Sequence, residues 1–163
     1  TTGDYVTCLG DGAGSNLTTG QNNTVIGRGA TGSSATISNE ITLGNSSIAT
    51  LRCQVTTTTA LSDARDKDNG FDLTGALALL RAIRPVRFDW NMRDGGKVGV
   101  ADTGFIAQDL QQAQAETGTF IPGLVYEENP DRLEAGYGKL IPVLVKAVQE
   151  LSDKVAELEN RLG

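Results

Sequence analysis

The sequence predicts a mixed fold: a repetitive β stalk over residues 1–61, then a small α+β domain over residues 62–163 that ends in a long coiled-coil helix at about 139–162. Three observations support this prediction. The first third carries a 17-residue repeat, most of the charge lies after residue 61, and the C-terminus has apolar residues spaced alternately by three and four. The chain is long enough for two small units in series.

The repeat consists of a short apolar strand followed by glycine, at Thr7–Gly10, Thr24–Gly27 and Ile41–Gly44. A unit this short cannot bury an apolar face alone, so such units stack within a chain or wind together between chains. The pattern resembles the β-roll heads of trimeric adhesins and the stalks of phage fibres, which implies a β-roll or an intertwined trimeric β-helix. A flexible Gly/Ser linker is the alternative. The β-branched run Gln54–Thr59 then predicts an extended strand or connector.

Composition argues against several function classes. The net charge of -6 and the pI near 4.6 come without a basic stripe, so we expect no nucleic-acid partner. No apolar run approaches the roughly 18 residues of a membrane span, and no signal peptide is evident. Histidine is absent, and Cys8 and Cys53 lack the close pairing of a metal site, so we expect no metal or cofactor. Both cysteines are expected to be buried free thiols, with a disulfide as the alternative.

The C-terminal part predicts alternating short helices and strands. Apolar residues spaced as one helical face predict a helix over 73–83 that Pro85 ends. The elements expected after it are a strand over 86–90, a turn over 91–96, a strand around 103–106, a helix over 108–115 and an extended stretch at 124–126. This order predicts a small α+β arrangement.

The final stretch carries the pattern of a coiled-coil seam. Its apolar residues alternate spacings of three and four, while charged residues fill the other faces; they are Ile141, Leu144, Val148, Leu151, Val155, Leu158 and Leu162. Pro142 is compatible with a helix only in its first turn. Isoleucine and valine alternating with leucine favour two strands by the usual packing rule. An amphipathic helix packed on its own domain is the alternative.

Between the two parts lies a short motif made of Ser62, Asp63, Arg65 and Lys67. It resembles the opening of the intramolecular chaperone auto-processing domains of phage endosialidases, tail spikes and neck appendages. Further stretches resemble that family in order: Ala82–Trp90, Thr103–Leu110, Pro122–Val125 and Tyr137–Leu144. Residues 68–71 and the Gly-rich loop over 93–102 depart from the family pattern.

The resemblance implies a homotrimer and a self-cleaving serine peptidase with a Ser62/Lys67 dyad that cuts between Leu61 and Ser62. Serine needs a base to take its proton, and without histidine a lysine is the plausible one. Because a free lysine has a pKa of roughly 10.4, it must be desolvated or placed near cations. Arg65 would act in that direction, and Asp63 would orient Lys67 or the loop.

The expected function is therefore a C-terminal chaperone that drives trimerisation of a phage tail spike or fibre and then removes itself. Its partners would be two copies of the same chain and upstream fibre domains, with the stalk in the virion tail and the chaperone released in the host cytoplasm. A non-cleaving trimerisation tip or a receptor-binding tip is the alternative. A mass measurement on Ser62→Ala separates these hypotheses.

Overall fold

A computed structural model describes residues 3–55 and 57–162 of the chain. Its strands and helices run in the order β1 (Thr7–Leu9), β2 (Thr24–Ile26), β3 (Ile41–Leu43), α1 (Ala76–Ala82), β4 (Val86–Asn91), β5 (Val98–Gly104), α2 (Ala107–Thr117), β6 (Val125–Tyr126), β7 (Glu134–Ala135) and α3 (Leu140–Leu162). Two compact units form. One contains the chain up to Leu51 with Val86–Gly104 and Tyr126–Glu134, and the other contains the rest.

In the first unit the three repeats stack as a parallel sheet in the order β1-β2-β3. The register pairs Thr7 with Thr24 and Thr24 with Ile41. Each 17-residue repeat therefore adds one strand, which we call a rung, to the sheet. Each strand is followed by a glycine with positive φ, at 129° for Gly10, 122° for Gly27 and 84° for Gly44. Residues with a Cβ rarely adopt this conformation, which explains the glycine at a fixed place in the repeat.

The interior of the stacked repeats is small and partly polar. Leu17, Val25 and Ala30 form its apolar cluster. Asn23 is buried beside them, where its amide donates to Ile37 O at 2.7 Å and its carbonyl oxygen accepts from Glu40 N at 3.0 Å. One buried side chain therefore joins two successive repeats through both of its polar atoms, as a buried amide requires.

The hairpin β4–β5 belongs to the same unit. The two strands pair antiparallel from Val86 with Gly104 to Asn91 with Val98, with a bulge near Asp89. Trp90 Nε1 donates to Asp102 Oδ2 at 3.0 Å on this hairpin. The sequence prediction placed a Gly-rich loop over 93–102 and a strand only from 103. That boundary was wrong, because backbone pairing with β4 extends the strand back to Val98 despite its glycine content.

In the second unit the three helices share one core, whose fully buried large side chains are Leu79, Leu110, Leu124 and Val143. The Tyr137 hydroxyl donates to Phe105 O at 3.1 Å and accepts from Phe105 N at 3.0 Å. The two rings meet edge to face. These contacts tie the start of α2 to the turn that precedes α3.

Helix α1 is shorter than predicted, because it begins after Gly75, which has a φ of 72°. No side chain from its own N-cap satisfies the first turn. Instead Glu150, from α3, accepts a hydrogen bond from Leu77 N at 2.9 Å. Leu73 stands outside the helix but packs, half-buried, against the core. Tertiary contacts thus replace the local cap that helices usually carry.

Helix α3 carries two apolar stripes that differ in their surroundings. Leu140, Val143 and Ala147 are buried within the second unit. The seven seam residues are exposed, from 47% for Val155 to 88% for Leu162. At 3.6 residues per turn the stripes lie about a quarter-turn apart. The alternative of packing on its own domain therefore describes the buried stripe only, and the seam is a separate surface.

The two cysteines, the segment before Leu61 and the predicted domain boundary compare with the sequence predictions as follows. Both cysteines are free, but they are exposed rather than buried as predicted. Cys8 shares its register position with the buried Val25, but β1 is an edge strand in the described part of this sheet whereas β2 is the central one. Residues 57–59 lack regular structure, and Thr56 lies outside the described residues. The 61/62 boundary remains a prediction about where the chain is cut, since the compact units group the chain differently.

The contact between Glu150 and α1 predicts a matched pair of stability effects. Glu150→Ala should lower the free energy of unfolding by about 0.5–2 kcal/mol, the usual cost of losing a helix cap. Glu157→Ala changes the same residue type one heptad later on an exposed face and should change it by less than about 0.5 kcal/mol. Urea denaturation of the full chain measures both. Equal losses would contradict the capping role.

Candidate functional site

The four residues of the sequence motif lie in one exposed segment. We call residues 61–72 the dyad arm; all of them are exposed. Within it Ala64–Asp66 form one turn of 3-10 helix, and the backbone is extended at Asp63 and Lys67 on either side. A single tight turn between extended residues brings the two ends of the motif together.

The turn places Lys67 Nζ 2.5 Å from Ser62 Oγ. The ammonium donates to the hydroxyl in this arrangement. A lysine that acts as a base must be neutral and accept the proton of the same hydroxyl, so the bond must reverse its direction without a change of partners. The structure therefore brings together the nucleophile and the base that the sequence indicated.

Asp63 and Arg65 form the second pair in the arm. Asp63 Oδ1 accepts from Arg65 N at 2.9 Å, which caps the 3-10 turn, and Asp63 Oδ2 pairs with Arg65 Nη2 at 2.6 Å. The Arg65 guanidinium, followed by its backbone N–H, lowers the pKa of Asp63, and Asp63 raises the pKa of Arg65. Asp63 thus engages Arg65 and not Lys67, so its role is to hold the turn.

The charges of this pair offset each other beside the dyad. The sequence suggested that Arg65 would help to keep Lys67 neutral by placing a cation next to it. With Asp63 bound to the guanidinium, most of that positive charge is matched locally. Keeping Lys67 neutral must then rest on the removal of water.

The dyad arm lacks the burial that such desolvation requires. Leu61 is 95% exposed and Phe71 is 88% exposed, and these are the two large apolar residues of the arm. Solvent therefore reaches the Leu61–Ser62 peptide bond and the side chains of Ser62 and Lys67 in a single chain. The dyad arm therefore holds Ser62 and Lys67 in contact but leaves them exposed to solvent.

The anchor of the arm was not found from sequence. Leu73 packs on the core directly after the arm, and Glu150 binds Leu77 N a few residues further on. A signal for Glu150 existed, since it continues the spacing of the buried stripe at Leu140, Val143 and Ala147. A charged residue at an inward position indicates a polar partner.

The described ranges contain neither a candidate metal site nor a candidate membrane span. Among residues 3–55 and 57–162, no cluster of three or more His, Cys, Asp or Glu side chains could hold a metal ion. Within the same ranges, no helix has the length and apolar character needed to cross a membrane.

Comparison with known proteins identifies one family. Residues 62–119 match the family model described as chaperone of endosialidase. The match begins at Ser62, the residue whose hydroxyl contacts Lys67, and it includes the dyad arm, α1, the β4–β5 hairpin and α2. No curated protein matches the chain. This match supports an intramolecular chaperone domain of the endosialidase type in residues 62–119, and the matched family is of the self-cleaving peptidase type.

Proposed function

We propose that this chain trimerises through its C-terminal chaperone, folds the end of a phage tail spike or fibre, and then cuts itself between Leu61 and Ser62. The observation that carries the proposal is the 2.5 Å contact between Lys67 Nζ and Ser62 Oγ at the first residue of the matched domain. A serine and a lysine in contact form the minimal self-cleaving pair of a chain without histidine.

The reaction proceeds in two balanced steps. Neutral Lys67 takes the Ser62 hydroxyl proton while Oγ attacks the Leu61 carbonyl carbon, and Lys67 passes that proton to the peptide nitrogen, which leaves as the α-amine of Ser62. That amine takes up the proton that the later hydrolysis of the ester releases. The product of this step is an ester between Leu61 and Ser62 Oγ. One water then hydrolyses the ester, which leaves a carboxylate on Leu61 and restores the serine hydroxyl. Each chain reacts once.

Assembly supplies what a single chain lacks. The seam on α3 is exposed along its whole length, and so are Leu61 and Phe71 in the dyad arm. Association of copies through the seam would bury apolar surface, which is the main favourable term in protein association. The same association would bring neighbouring chains to the arm and remove water from Lys67. Cleavage then reports that the chains have assembled.

The number of chains rests on two arguments that point in different directions. Isoleucine and valine alternating with leucine in the seam favour a two-stranded coiled coil. The resemblance of residues 62–163 to phage auto-processing domains favours three strands. We adopt the trimer on the basis of this resemblance. A seam of about three heptads is marginal alone, so contacts between the stacked repeats of different chains would add to it.

The proposal also covers the partners and the location of the two parts of the chain. The stacked repeats would form the end of a trimeric stalk, joined to upstream fibre domains, with no nucleic-acid or membrane partner. The stalk would remain in the virion tail and the chaperone would be released in the host cytoplasm. Removal of the chaperone leaves the stalk kinetically trapped, since the unit that guided its folding has gone.

A non-cleaving trimerisation or receptor-binding tip is the second candidate. The complete exposure of the dyad arm favours it, because an exposed lysine is a poor base. The seam would serve such a tip equally well. The two candidates therefore differ in the covalent state of the chain and not in its assembly.

Intact mass of the freshly expressed chain distinguishes the candidates. The unaltered chain should give two fragments that meet between Leu61 and Ser62, whereas Ser62→Ala and Lys67→Ala should each give one full-length mass. Ser62→Ala removes the nucleophile and Lys67→Ala removes the base, so both should slow cleavage by several orders of magnitude. A full-length mass for the unaltered chain would leave the trimerisation tip as the function.

The Asp63–Arg65 pair predicts a smaller effect on the rate of cleavage. Asp63→Ala should slow it several-fold without abolishing it, because the 3-10 turn loses its cap while Ser62 and Lys67 remain. Asp66→Ala changes a carboxylate in the same turn that takes no part in the Asp63–Arg65 pair. It is the matched control and should cleave normally. Because Arg65 lowers the pKa of Asp63, the turn keeps its cap as the pH falls to the usual Asp value near 3.8 and loses it only below.

Between pH 5 and 9 the ionisation of Asp63 should therefore add no step to the pH dependence of the cleavage rate. Quenched time courses analysed by mass give these rates. An Asp63→Ala rate equal to that of the unaltered chain would show that the pair does not position the dyad.

A further inference from the structure

Strand β3 is one of the two edge strands of the parallel sheet in the described part of the chain, and β1 is the other. Residues 40 and 44 direct their backbone groups toward β2, since Thr24 N donates to Glu40 O at 2.9 Å and Gly44 N donates to Ile26 O at 2.7 Å. Backbone groups alternate along a strand in a ladder. The N–H and C=O groups of Ile41 and Leu43 therefore point away from β2, toward the position of a further rung.

Residues from beyond the proposed cut lie along this edge within the same compact unit. A cavity of about 380 Å³ is lined by Ile41–Ser46 and also by Asp94, Arg132 and Glu134. Asn129 Nδ2 donates to Ser33 O at 3.1 Å beside it. These covering residues belong to the part that leaves after cleavage. Its departure would expose an edge strand with Ile41 and Leu43 already 72% and 53% exposed.

An open edge of this kind tends to pair with another chain, and proteins usually cover it. The 17-residue repeat indicates what can cover it here. One further repeat after Ile41–Leu43 falls on Thr58–Ala60, which directly precedes the proposed cleavage site. The connection from Gly44 to Thr58 is as long as the one from Gly27 to Ile41, so the chain length already suits another rung. Threonine is also a favourable residue in strands.

The residue after this fourth rung explains why the rung would form only after cleavage. The first three rungs end in glycines with φ between 84° and 129°, whereas Leu61 stands at the fourth position. Leucine resists that conformation, so an uncut chain cannot turn there without strain. Once the bond to Ser62 is cut, Leu61 is the last residue, and no turn has to follow it.

We propose that cleavage releases residues 57–61 to add to β3 as a fourth parallel strand of the same chain, which seals the end of the stalk. This inference rests on the proposed cleavage and extends it. By analogy with the existing rungs, Ile41 N–H would donate to Thr57 O, and Leu61 N–H would donate to Leu43 O. Self-cutting then both removes the chaperone and provides the cover for the edge that the chaperone leaves.

Residue-resolved amide exchange tests the strand directly. The stalk fragment from the self-cut chain is compared with the uncut Ser62→Ala chain, in which residues 57–61 are exposed. In the cut stalk, Thr59 and Leu61 should exchange roughly ten-fold or more slowly, while Thr58 and Ala60 should stay fast, because alternate amides face β3. Equally fast exchange at all four amides would overturn the proposal.

Proline substitutions provide a matched pair on the full chain. Thr59→Pro removes an N–H that faces β3, whereas Thr58→Pro removes one that faces away. After self-cutting, the stalk from Thr58→Pro should keep slow exchange at Ile41 and Leu43, and the stalk from Thr59→Pro should lose it. Equal protection in both stalks would contradict the strand. If either variant fails to cut, the exchange pattern of the unaltered stalk still decides.

A cross-link distinguishes the chain's own strand from that of a neighbouring copy. In a Cys8→Ser and Cys53→Ser background, Leu43→Cys and Ala60→Cys should form a disulfide after cleavage, since the register pairs these positions. A cross-link within one chain under denaturing conditions supports the proposal, and one between two chains overturns it. Failure of the proposed function gives a different result, because no 1–61 fragment would then appear.

Discussion

A lysine can act as a base only where desolvation or nearby cations favour its neutral form, and in the proposed function this constraint links the Ser62–Lys67 pair to assembly. The chain holds Lys67 against Ser62 by one 3-10 turn, and the Asp63–Arg65 pair secures the turn. The chain leaves that arrangement in solvent. We propose that each chain holds Ser62 and Lys67 in contact by itself, and that neighbouring chains shield the pair from water. Cleavage would then depend on assembly.

Helix α3 connects those two requirements. Its buried stripe packs on α1, and Glu150 extends that contact to the N-terminus of α1. Leu73 lies just before α1 and anchors the dyad arm to the same core. Its second stripe faces outward and is available to other copies. Helix α3 would therefore both associate with other chains and anchor the C-terminal end of the dyad arm. Its contact with α1 and the contact of Leu73 with the core lie within one compact unit.

Much of this organisation was readable from the sequence because it depends on local periodicity. The 17-residue repeat placed β1–β3, and the alternating spacing of three and four placed α3 with Pro142 in its first turn. The dyad was readable because Ser62 and Lys67 are close in sequence and one turn joins them. The family match from Ser62 agrees with the resemblance drawn from the motifs.

The remaining features depend on contacts between distant residues. Val98 lies in β5 because β4 pairs with it, although glycine-rich composition indicated a loop. Glu150 caps a helix 73 positions earlier in the chain; its inward position indicates that it has a polar partner, but the local pattern does not reveal which one. Cys8 is exposed although its equivalent Val25 is buried, because burial depends on the strand's place in the sheet. Asp63 pairs with Arg65 because the turn brings them together, and charge alone did not distinguish that partner from Lys67.

The most direct test of the account is the rate of self-cutting as a function of chain concentration. The unfolded chain is diluted into refolding buffer over a hundred-fold concentration range, with oligomeric state followed by light scattering and cleavage followed by intact mass. The account predicts that cleavage appears only as trimers form and that its onset slows as the chain is diluted. Cleavage at a concentration-independent rate in monomers would show that a single chain completes its own site.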